Sequence, residues 1–350
     1  MVDSIILNLN LGCVEGKQLE GGPALFDVLT PNSNQLQQFA RDAAGVLYDF
    51  DRIGVSREMA NAAVELEIQD LLKLNAIETK AKRCKHFAVE GVSESDYSEN
   101  FYRLNDGRLV LAGIRHLAGS KDEPFAHFVV SFVPDESDLK TLVQFARETF
   151  AMFRPKQISF SVSTATSVID TLGQNLRASR NHVVGRVADI RKRDHPKFCQ
   201  SIQLEPLQST ENFGWYDRAY EAFHLAQPEL KSWVPITDRE DLEACARDGL
   251  LFEVKIDGAR AGLIAAEKSP LLGLVGAYMT EFLLLAPFKG RGLAPALQRL
   301  FVEKLPGDVE LIWGTIDARN FSSMKTAEKV GRVPIRAECF LAVNTIAEKS

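Results

Sequence analysis

The sequence predicts an α/β (α+β) protein built from two domains, and three observations support this fold class. A chain of 350 residues is long enough to bury two separate cores. The strand-like and helix-like segments of its second half follow one another as β-α-α-β-β-β-α-β-α-β. Part of this order recurs in the first half. Charged residues and a proline between Asp194 and Lys197 interrupt the pattern, which predicts one domain over residues 1–194 and another over residues 195–350.

The second half opens with the strand "SIQLEPL" and a helix, "ENFGWYDRAYEAFHLA", whose aromatic side chains recur at nearly helical spacing. A second helix lies in "TDREDLEACARDG". We expect Thr237 to be its N-cap, because Glu240 three residues later completes a capping box, and Gly249 to end it. Two strands then flank Asp257 and Gly258, a typical hairpin turn.

The remaining elements are equally distinct. "LVGAYMTEFLLLAP" is a long strand, and the next helix is predicted over Leu293 to Lys304. "VELIWGTID" has the composition of a buried strand. A helix in "NFSSMKTAEKVG" ends at Gly331, and "VPIRAECFLAV" is the last strand.

The first half begins with two predicted helices, in "NSNQLQQFARDAAGVLYDF" and "SREMANAAVELEIQDLLKLNAIETKAK". Beyond residue 100 it repeats the second half: Asp106-Gly107 precedes Asp257-Gly258 by 151 residues, and Pro134 precedes Pro287 by 153. Many α/β chains share a strand–helix–strand order without duplication. A nearly constant offset over roughly 60 residues favours an internal duplication here.

The two repeats differ where a helix begins. In the second repeat this turn contains Gly290, Arg291 and Gly292, and a glycine-rich helix N-terminus with free N–H groups attracts anions. The first repeat has a run of acidic residues, including Asp135 and Asp138, at its equivalent turn. We expect the second turn to bind an anion and the first to be capped by its own carboxylates.

These residues resemble the acyl-CoA-binding core of the GNAT superfamily of N-acetyltransferases. The family signature, Gln/Arg-x-x-Gly-x-Gly/Ala, is matched by Lys289, Gly292 and Ala294, with lysine as a departure that keeps the cation. The resemblance covers residues 201–343 and makes the first half a degenerate copy without the signature. It implies that each domain has a mixed, mostly antiparallel central sheet flanked by helices.

The resemblance also implies acetyl-CoA as the co-substrate. Its pyrophosphate would be held by the turn, and its pantetheine arm would lie between the splayed strands "TEFLLLA" and "ELIWGTI". Two further positions, Asn320 and Ser323, match residues that touch the far side of the cofactor. The turn residues expected to bind the cofactor are Lys289, Gly290, Arg291, Gly292, Leu293 and Ala294.

The reaction implied is acyl transfer to an amine, which requires a base, oxyanion donors and an acid for the thiolate. Glu281 is the only carboxylate in its apolar strand and is the candidate base; a solvated edge position or a salt bridge is the alternative. Tyr278 is a candidate acid or a core residue. Backbone N–H groups of Leu283, Leu284 and Leu285 are the expected oxyanion donors, if the strand bulges there.

One family feature is missing. The tyrosine that often lies four residues before the closing glycine of the last helix is Ala327 in this sequence. Ser322, Ser323 or water would have to protonate the thiolate instead.

The turn between the first two helices of the second half corresponds to the family's acceptor pocket. His224 and Trp233 there are candidate contacts to a small-molecule or peptide amine. A Rossmann nucleotide site is disfavoured, because its third glycine would stand at Pro295. The remaining alternatives are a non-catalytic CoA-binding regulatory protein and a transferase of longer acyl or aminoacyl groups.

Composition narrows the partners. A net charge of -6 disfavours nucleic acid. The five cysteines are scattered and form no Cys-x-x-Cys, which favours a reducing, cytoplasmic location and disfavours a metal site. We expect no signal peptide and no membrane association, since the start lacks a basic segment and no run of 18 apolar residues occurs. The sequence does not specify an oligomeric state.

Overall fold

A computed structural model describes residues 26–165, 176–194, 197, 199–228, 231 and 234–345. Within these ranges the chain forms twelve strands and nine helices. The strands are β1 Asp27–Leu29, β2 Asn100–Arg103, β3 Leu109–His116, β4 Pro124–Val130, β5 Gln157–Ser163, β6 Leu176–Arg186, β7 Ile202–Pro206, β8 Leu251–Ile256, β9 Ala259–Lys268, β10 Gly276–Leu284, β11 Leu311–Asp317 and β12 Val333–Ala342. The helices are α1 Ser33–Leu47, α2 Arg57–Lys73, α3 Ile77–Phe87, α4 Glu136–Thr149, α5 Val187–Lys192, α6 Gly214–Ala226, α7 Arg239–Arg247, α8 Leu293–Lys304 and α9 Phe321–Val330.

The second half has the predicted order of elements throughout. Asp257 and Gly258 both have positive φ, 51° and 78°, as the tight β8–β9 hairpin requires. Gly331 ends α9 in the left-handed conformation. The predicted start of α7 is wrong: its N-cap is Asp238, and the Thr237 hydroxyl lies near Glu281 instead of capping the helix.

The first half differs from prediction in its second helix, which is two helices, α2 and α3. The break lies at Asn75, whose side chain forms two hydrogen bonds with the backbone of Glu99. Asn75 Nδ2 donates to the Glu99 carbonyl at 2.8 Å, and the Glu99 N–H donates to Asn75 Oδ1 at 2.6 Å. A side chain that binds distant backbone competes with helix continuation.

All described strands form one sheet, in the order β1-β2-β3-β4-β5-β12-β6-β11-β10-β9-β8-β7. The two halves exchange their last strands: β6 pairs antiparallel with β11 of the second half, and β12 pairs antiparallel with β5 of the first. The order therefore reads equivalently from either edge, which supports the internal duplication. Because of this exchange the central sheets of the two predicted domains are continuous, and the division at residue 194 stays a prediction.

Helices cover both faces of the sheet. On one face, called here the acceptor face, α1 and α2 pack over the first half, and α6 and α7 pack over the second. On the other face, called here the α8 face, α4 and α8 occupy the equivalent places. Leu311 belongs to the first of these faces and its neighbour Ile312 to the second, as strand alternation requires.

Candidate active site

Strands β10 and β11 separate at the middle of the second half. They pair in parallel at only three positions, from Gly276 with Leu311 to Tyr278 with Trp313. Beyond that point β10 continues along β9 as far as Leu284, and β11 continues along β6. The two strands therefore diverge and leave a V-shaped gap with unpaired backbone on both edges. This is the geometry expected for a site that takes an extended pantetheine arm.

A β-bulge at Thr280 decides which side chains face each way. The register of β10 against β9 shifts between Met279, which pairs with Ala266, and Glu281, which pairs with Ala265. Met279 packs on the α8 face. Without the extra residue, Glu281 would share that face, because alternate residues of a strand point the same way. The bulge instead turns Glu281 to the acceptor face.

The Glu281 carboxylate is 5% exposed and accepts hydrogen bonds from four groups of the chain. Tyr216 and Tyr220 on α6 donate their hydroxyl protons, with Tyr220 at 2.9 and 3.1 Å from the two oxygens. The Phe282 N–H donates at 2.7 Å, and the Thr237 hydroxyl lies 3.3 Å away. Burial raises the pKa of Glu281, and the hydrogen bonds oppose the shift. Burial therefore makes this carboxylate a stronger proton acceptor than a solvent-exposed glutamate.

Tyr278 lies on the same face as Glu281, beside the point where the strands separate. Its hydroxyl lies 3.1 Å from Thr315 Oγ1, and its ring packs edge-on against Trp313 with the centroids 4.7 Å apart. The side chain is half-buried. Tyr278 is therefore tied to β11 by one hydrogen bond and one aromatic contact across the apex of the gap.

The backbone near Leu284 differs from the expected arrangement. The bulge lies at Thr280 and not at residues 283–285. The Leu285 N–H donates to the Ala261 carbonyl at 2.8 Å, so it is engaged with β9. In an antiparallel pair N–H groups alternate between the two sides of a strand, so Leu283 also faces β9 and Leu284 faces the gap. Of the three predicted oxyanion donors, only Leu284 is directed into the gap.

The start of α8 has the geometry predicted for an anion site. Gly290 and Gly292 have φ of 73° and 76°, a left-handed conformation that side chains with a Cβ rarely adopt. Gly292 is the N-cap and supplies no side chain to cap the helix. Within the described chain, no hydrogen-bond acceptor lies against the N–H groups of residues 290–294. These groups are available to a phosphate.

Two cations flank this turn. The Lys289 ammonium lies 4.4 Å from the centroid of the Phe223 ring, and burial lowers the pKa of Lys289. The Arg291 guanidinium lies 5.6 Å from the centroid of the Phe288 ring. Leu293 is buried beneath the first turn of α8 and Ala294 is half-buried, so their side chains anchor the turn while their N–H groups face outward.

The first repeat lacks both features, as expected for a degenerate copy. At the start of α4, Asp135 Oδ1 accepts the N–H of Asp138 at 2.8 Å, and Asp138 accepts the N–H of Asp135 at 3.1 Å. Arg108 also pairs with Asp138. The predicted self-capping of this turn is confirmed. On β4 the register position equivalent to Glu281 is occupied by Val129, which cannot accept a proton.

The predicted far-side residues lie at the start of α9. Asn320 is the N-cap, and its Oδ1 accepts the Ser323 N–H at 3.1 Å and the Ser322 hydroxyl at 3.1 Å. Both serines lie on the first turn of α9. Ala327 is fully buried, so no side chain there reaches the gap.

Of the two residues predicted to contact the acceptor, His224 and Trp233, the structure describes only His224. His224 is half-buried, and its Nε2 lies 2.9 Å from the Val234 carbonyl, a contact that ties α6 to the following segment. Trp233 lies outside the described residues.

Sequence reasoning missed Tyr216 and Tyr220 as partners of Glu281. Their helical spacing was visible, and a buried tyrosine hydroxyl needs a hydrogen-bond partner, which was the available signal.

The described ranges contain neither a metal-binding cluster nor a membrane-spanning helix. No three His, Cys, Asp or Glu side chains lie close enough together to hold a metal ion. No helix in these ranges has both the length and the apolar character needed to cross a membrane.

Solved acetyltransferase structures resemble this chain. A GCN5-related N-acetyltransferase from Sphaerobacter thermophilus is 16% identical, with a TM-score of 0.53 over 92% of this chain and 96% of its own. A tandem GNAT protein from the clavulanic acid biosynthesis pathway is 13% identical, with a TM-score of 0.43 over 92% of this chain and 99% of its own. An acetyltransferase of the GNAT family from Colwellia psychrerythraea is 11% identical, with a TM-score of 0.42 over 75% of this chain and 95% of its own. No protein-family model and no curated protein matches the sequence. The first superposition shows that the chain has the fold of the GCN5-related N-acetyltransferases, as the resemblance implied.

Proposed function

We propose that this protein transfers an acetyl group from acetyl-CoA to a primary amine, and that it does so in the cytoplasm. The observation that carries the proposal is the placement of Glu281. A bulge turns this carboxylate to the acceptor face, three residues beyond Tyr278, where β10 and β11 have begun to diverge. The same strand leads directly into the uncapped, glycine-containing start of α8. A base and an anion site at opposite ends of one gap suit a thioester donor that ends in a pyrophosphate.

In this proposal the start of α8 holds the pyrophosphate. The N–H groups of residues 290–294 donate to it, and Lys289 and Arg291 supply positive charge. Asn320 and Ser323 border the far side of the cofactor. The first half binds no cofactor of its own, because carboxylates already fill its equivalent turn.

Each chemical step has a candidate residue. Glu281 takes the proton of the incoming ammonium, and the Tyr220 hydroxyl, which is hydrogen-bonded to Glu281, can relay it. The free amine attacks the thioester carbonyl, and the Leu284 N–H stabilises the oxyanion. The Tyr278 hydroxyl, reprotonated through Thr315, gives a proton to the departing thiolate. In this proposal Tyr278 takes the role of the family's acidic tyrosine, whose position is occupied by Ala327 in this chain.

One observation favours a non-catalytic CoA-binding protein as the second candidate. Glu281 is already satisfied by four groups of the chain, and a carboxylate so engaged can serve as a purely structural link between α6 and β10. The two candidates predict the same cofactor binding and differ only in turnover.

Thiol release separates them. The full-length protein is incubated with acetyl-CoA and a panel of primary amines, amino acids and short peptides, and free CoA is measured with a thiol reagent. We expect release that depends on both the acceptor and the protein, with the acetylated acceptor detected by mass spectrometry. Binding of acetyl-CoA without acceptor-dependent release across the panel would contradict the enzyme proposal and leave the non-catalytic one.

A further inference from the structure

Polar side chains form two rows on the acceptor face at the centre of the sheet, between the helix pair α1–α2 and the helix pair α6–α7. In the first row Thr315 of β11 is the cross-strand partner of His182 of β6, which is the partner of Arg336 of β12. In the second row Asp317 is the partner of Arg180, which is the partner of Glu338. The outer row, Asp317–Arg180–Glu338, is called here the charged row.

The charged row lies within reach of the reacting centre. Thr315 is hydrogen-bonded to Tyr278 at the apex of the gap. The charged row is two residues farther along the same strand, which corresponds to about 7 Å. An arginine side chain spans a similar length. A group held by Arg180 can therefore belong to the same small molecule as an amine held beside Tyr278.

Arg180 uses only one of its nitrogen atoms in a hydrogen bond among the described residues. Its Nε donates to Glu338 Oε2 at 3.0 Å, which fixes the plane of the guanidinium. Neither Nη atom has a hydrogen-bond partner among the described residues, and the side chain is 43% exposed. The two Nη groups of an arginine present a planar fork that matches a carboxylate. An ion pair that uses only Nε leaves this fork available to a ligand.

The surroundings favour a ligand of mixed charge. Asp317, paired with Arg319, and Glu338, paired with Arg180, place carboxylates on either side of the Arg180 backbone position. His182 lies between the charged row and the apex, and burial lowers its pKa to about 3, so the imidazole is neutral and does not repel an ammonium group. A simple amine would leave the Arg180 fork without an acceptor.

Resting on the proposed function, we propose that the acceptor is an amino acid or a similar small molecule with a primary amine near a carboxylate, and that Arg180 binds this carboxylate. Arg180 belongs to β6, the strand that the first half contributes to the second. The acceptor site is therefore composite. The degenerate half supplies a specificity residue through the exchanged strand, in addition to its packing role.

Matched acceptors test this assignment. Turnover is measured for L-amino acids and for the corresponding amino acid amides, which differ only in the carboxylate, with the wild type and Arg180→Gln. We expect the wild type to prefer the acids, and Arg180→Gln to lower kcat/KM for the acids by about 10- to 100-fold while changing the amides by less than about threefold. Arg180→Lys should fall between them, since it keeps the charge without the fork.

The controls separate this inference from the proposed function. Arg103→Gln, at the exposed last residue of β2, removes an arginine far from the site and should match the wild type. Equal turnover of acids and amides by the wild type, or an equal loss of both in Arg180→Gln, would overturn the role of Arg180 while leaving acyl transfer intact. If nothing is acetylated, saturation-transfer NMR measures binding of the same acids and amides in the presence of CoA. Binding of the acids that is abolished in Arg180→Gln supports the assignment. No binding of the acids to the wild type, or equal binding to both proteins, overturns it.

Discussion

Replacing Glu281 with glutamine isolates proton transfer from the rest of the site. Glutamine has nearly the same shape and its oxygen can still accept from Tyr216 and Tyr220. Its amide cannot take a proton. Glutamine has only one acceptor oxygen, whereas both oxygens of Glu281 accept hydrogen bonds. Its NH₂ group must therefore face either the Phe282 N–H or the tyrosine hydroxyls, and at least one of the present hydrogen bonds is lost or rearranged. We expect that rearrangement to cost about 1–3 kcal/mol of folding free energy, partly offset because a charged group is no longer buried.

The kinetic effect should be larger than the structural one. General base catalysis contributes roughly 10²–10⁴ in rate, which is about 2.7–5.5 kcal/mol of transition-state stabilisation. Glu281→Gln should lower kcat by that factor, with acetyl-CoA affinity within about twofold of wild type, since the anion site lies at the other end of the gap. Steady-state kinetics and calorimetric titration on the same preparation give both values.

The pH profile provides the control. In the wild type the rate should rise with pH as Glu281 loses its proton, above the usual range for a glutamate because burial raises its pKa. Tyr220→Phe removes a hydrogen bond that favours the ionised form, so it should move this limb to higher pH, and Glu281→Gln should abolish the limb. A Glu281→Gln protein with wild-type turnover and an unchanged profile would show that Glu281 is only a structural link.

Two further predictions concern binding and stability. Gly292→Asp should abolish CoA binding in a folded protein, because it adds a carboxylate at a turn whose φ is 76° and forfeits several charge-assisted hydrogen bonds of roughly 1.5–3 kcal/mol each. Gly307→Asp, at an exposed glycine, is the matched control. Calorimetry that finds unchanged binding to the Gly292 variant would reject the site. His127 is half-buried beside Ser159, and burial lowers its pKa to about 3, whereas an unfolded histidine titrates near 6.5. The unfolded state therefore binds more protons between these values, and stability should fall on acidification by up to about 1.4 kcal/mol per pH unit. His127→Gln should weaken that dependence in urea unfolding between pH 7 and 4, and an unchanged slope would exclude His127 as a source.

Local signals explain why the second half was predictable. Strand alternation, helical spacing and turn residues act over a few positions, and they located the β8–β9 hairpin at Asp257-Gly258 and the end of α9 at Gly331. The start of α8 was equally visible, since two glycines precede a strongly patterned helix. The self-capped start of α4 was also predictable, because Asp135 and Asp138 occur at capping-box spacing.

The features that were not predicted depend on contacts between distant residues. The exchange of β6 and β12 joins strands from different halves, and no local pattern encodes a pairing partner. The break at Asn75 depends on hydrogen bonds to Glu99. The bulge at Thr280 has no glycine or proline to mark it, although it decides which way Glu281 points. The fold and the glycine-containing start of α8 were therefore accessible from the sequence, and the surroundings of Glu281 were not.

The stoichiometry of cofactor binding tests the central claim most directly, namely that this chain has one acyl-CoA site and that it lies at the start of α8. The full-length protein is titrated with acetyl-CoA in a calorimeter, without acceptor. One molecule should bind per chain, because the N–H groups at residues 290–294 are free of protein acceptors in the described structure while Asp135 and Asp138 cap the equivalent turn of α4. A stoichiometry near two, or no binding at all, would contradict the account.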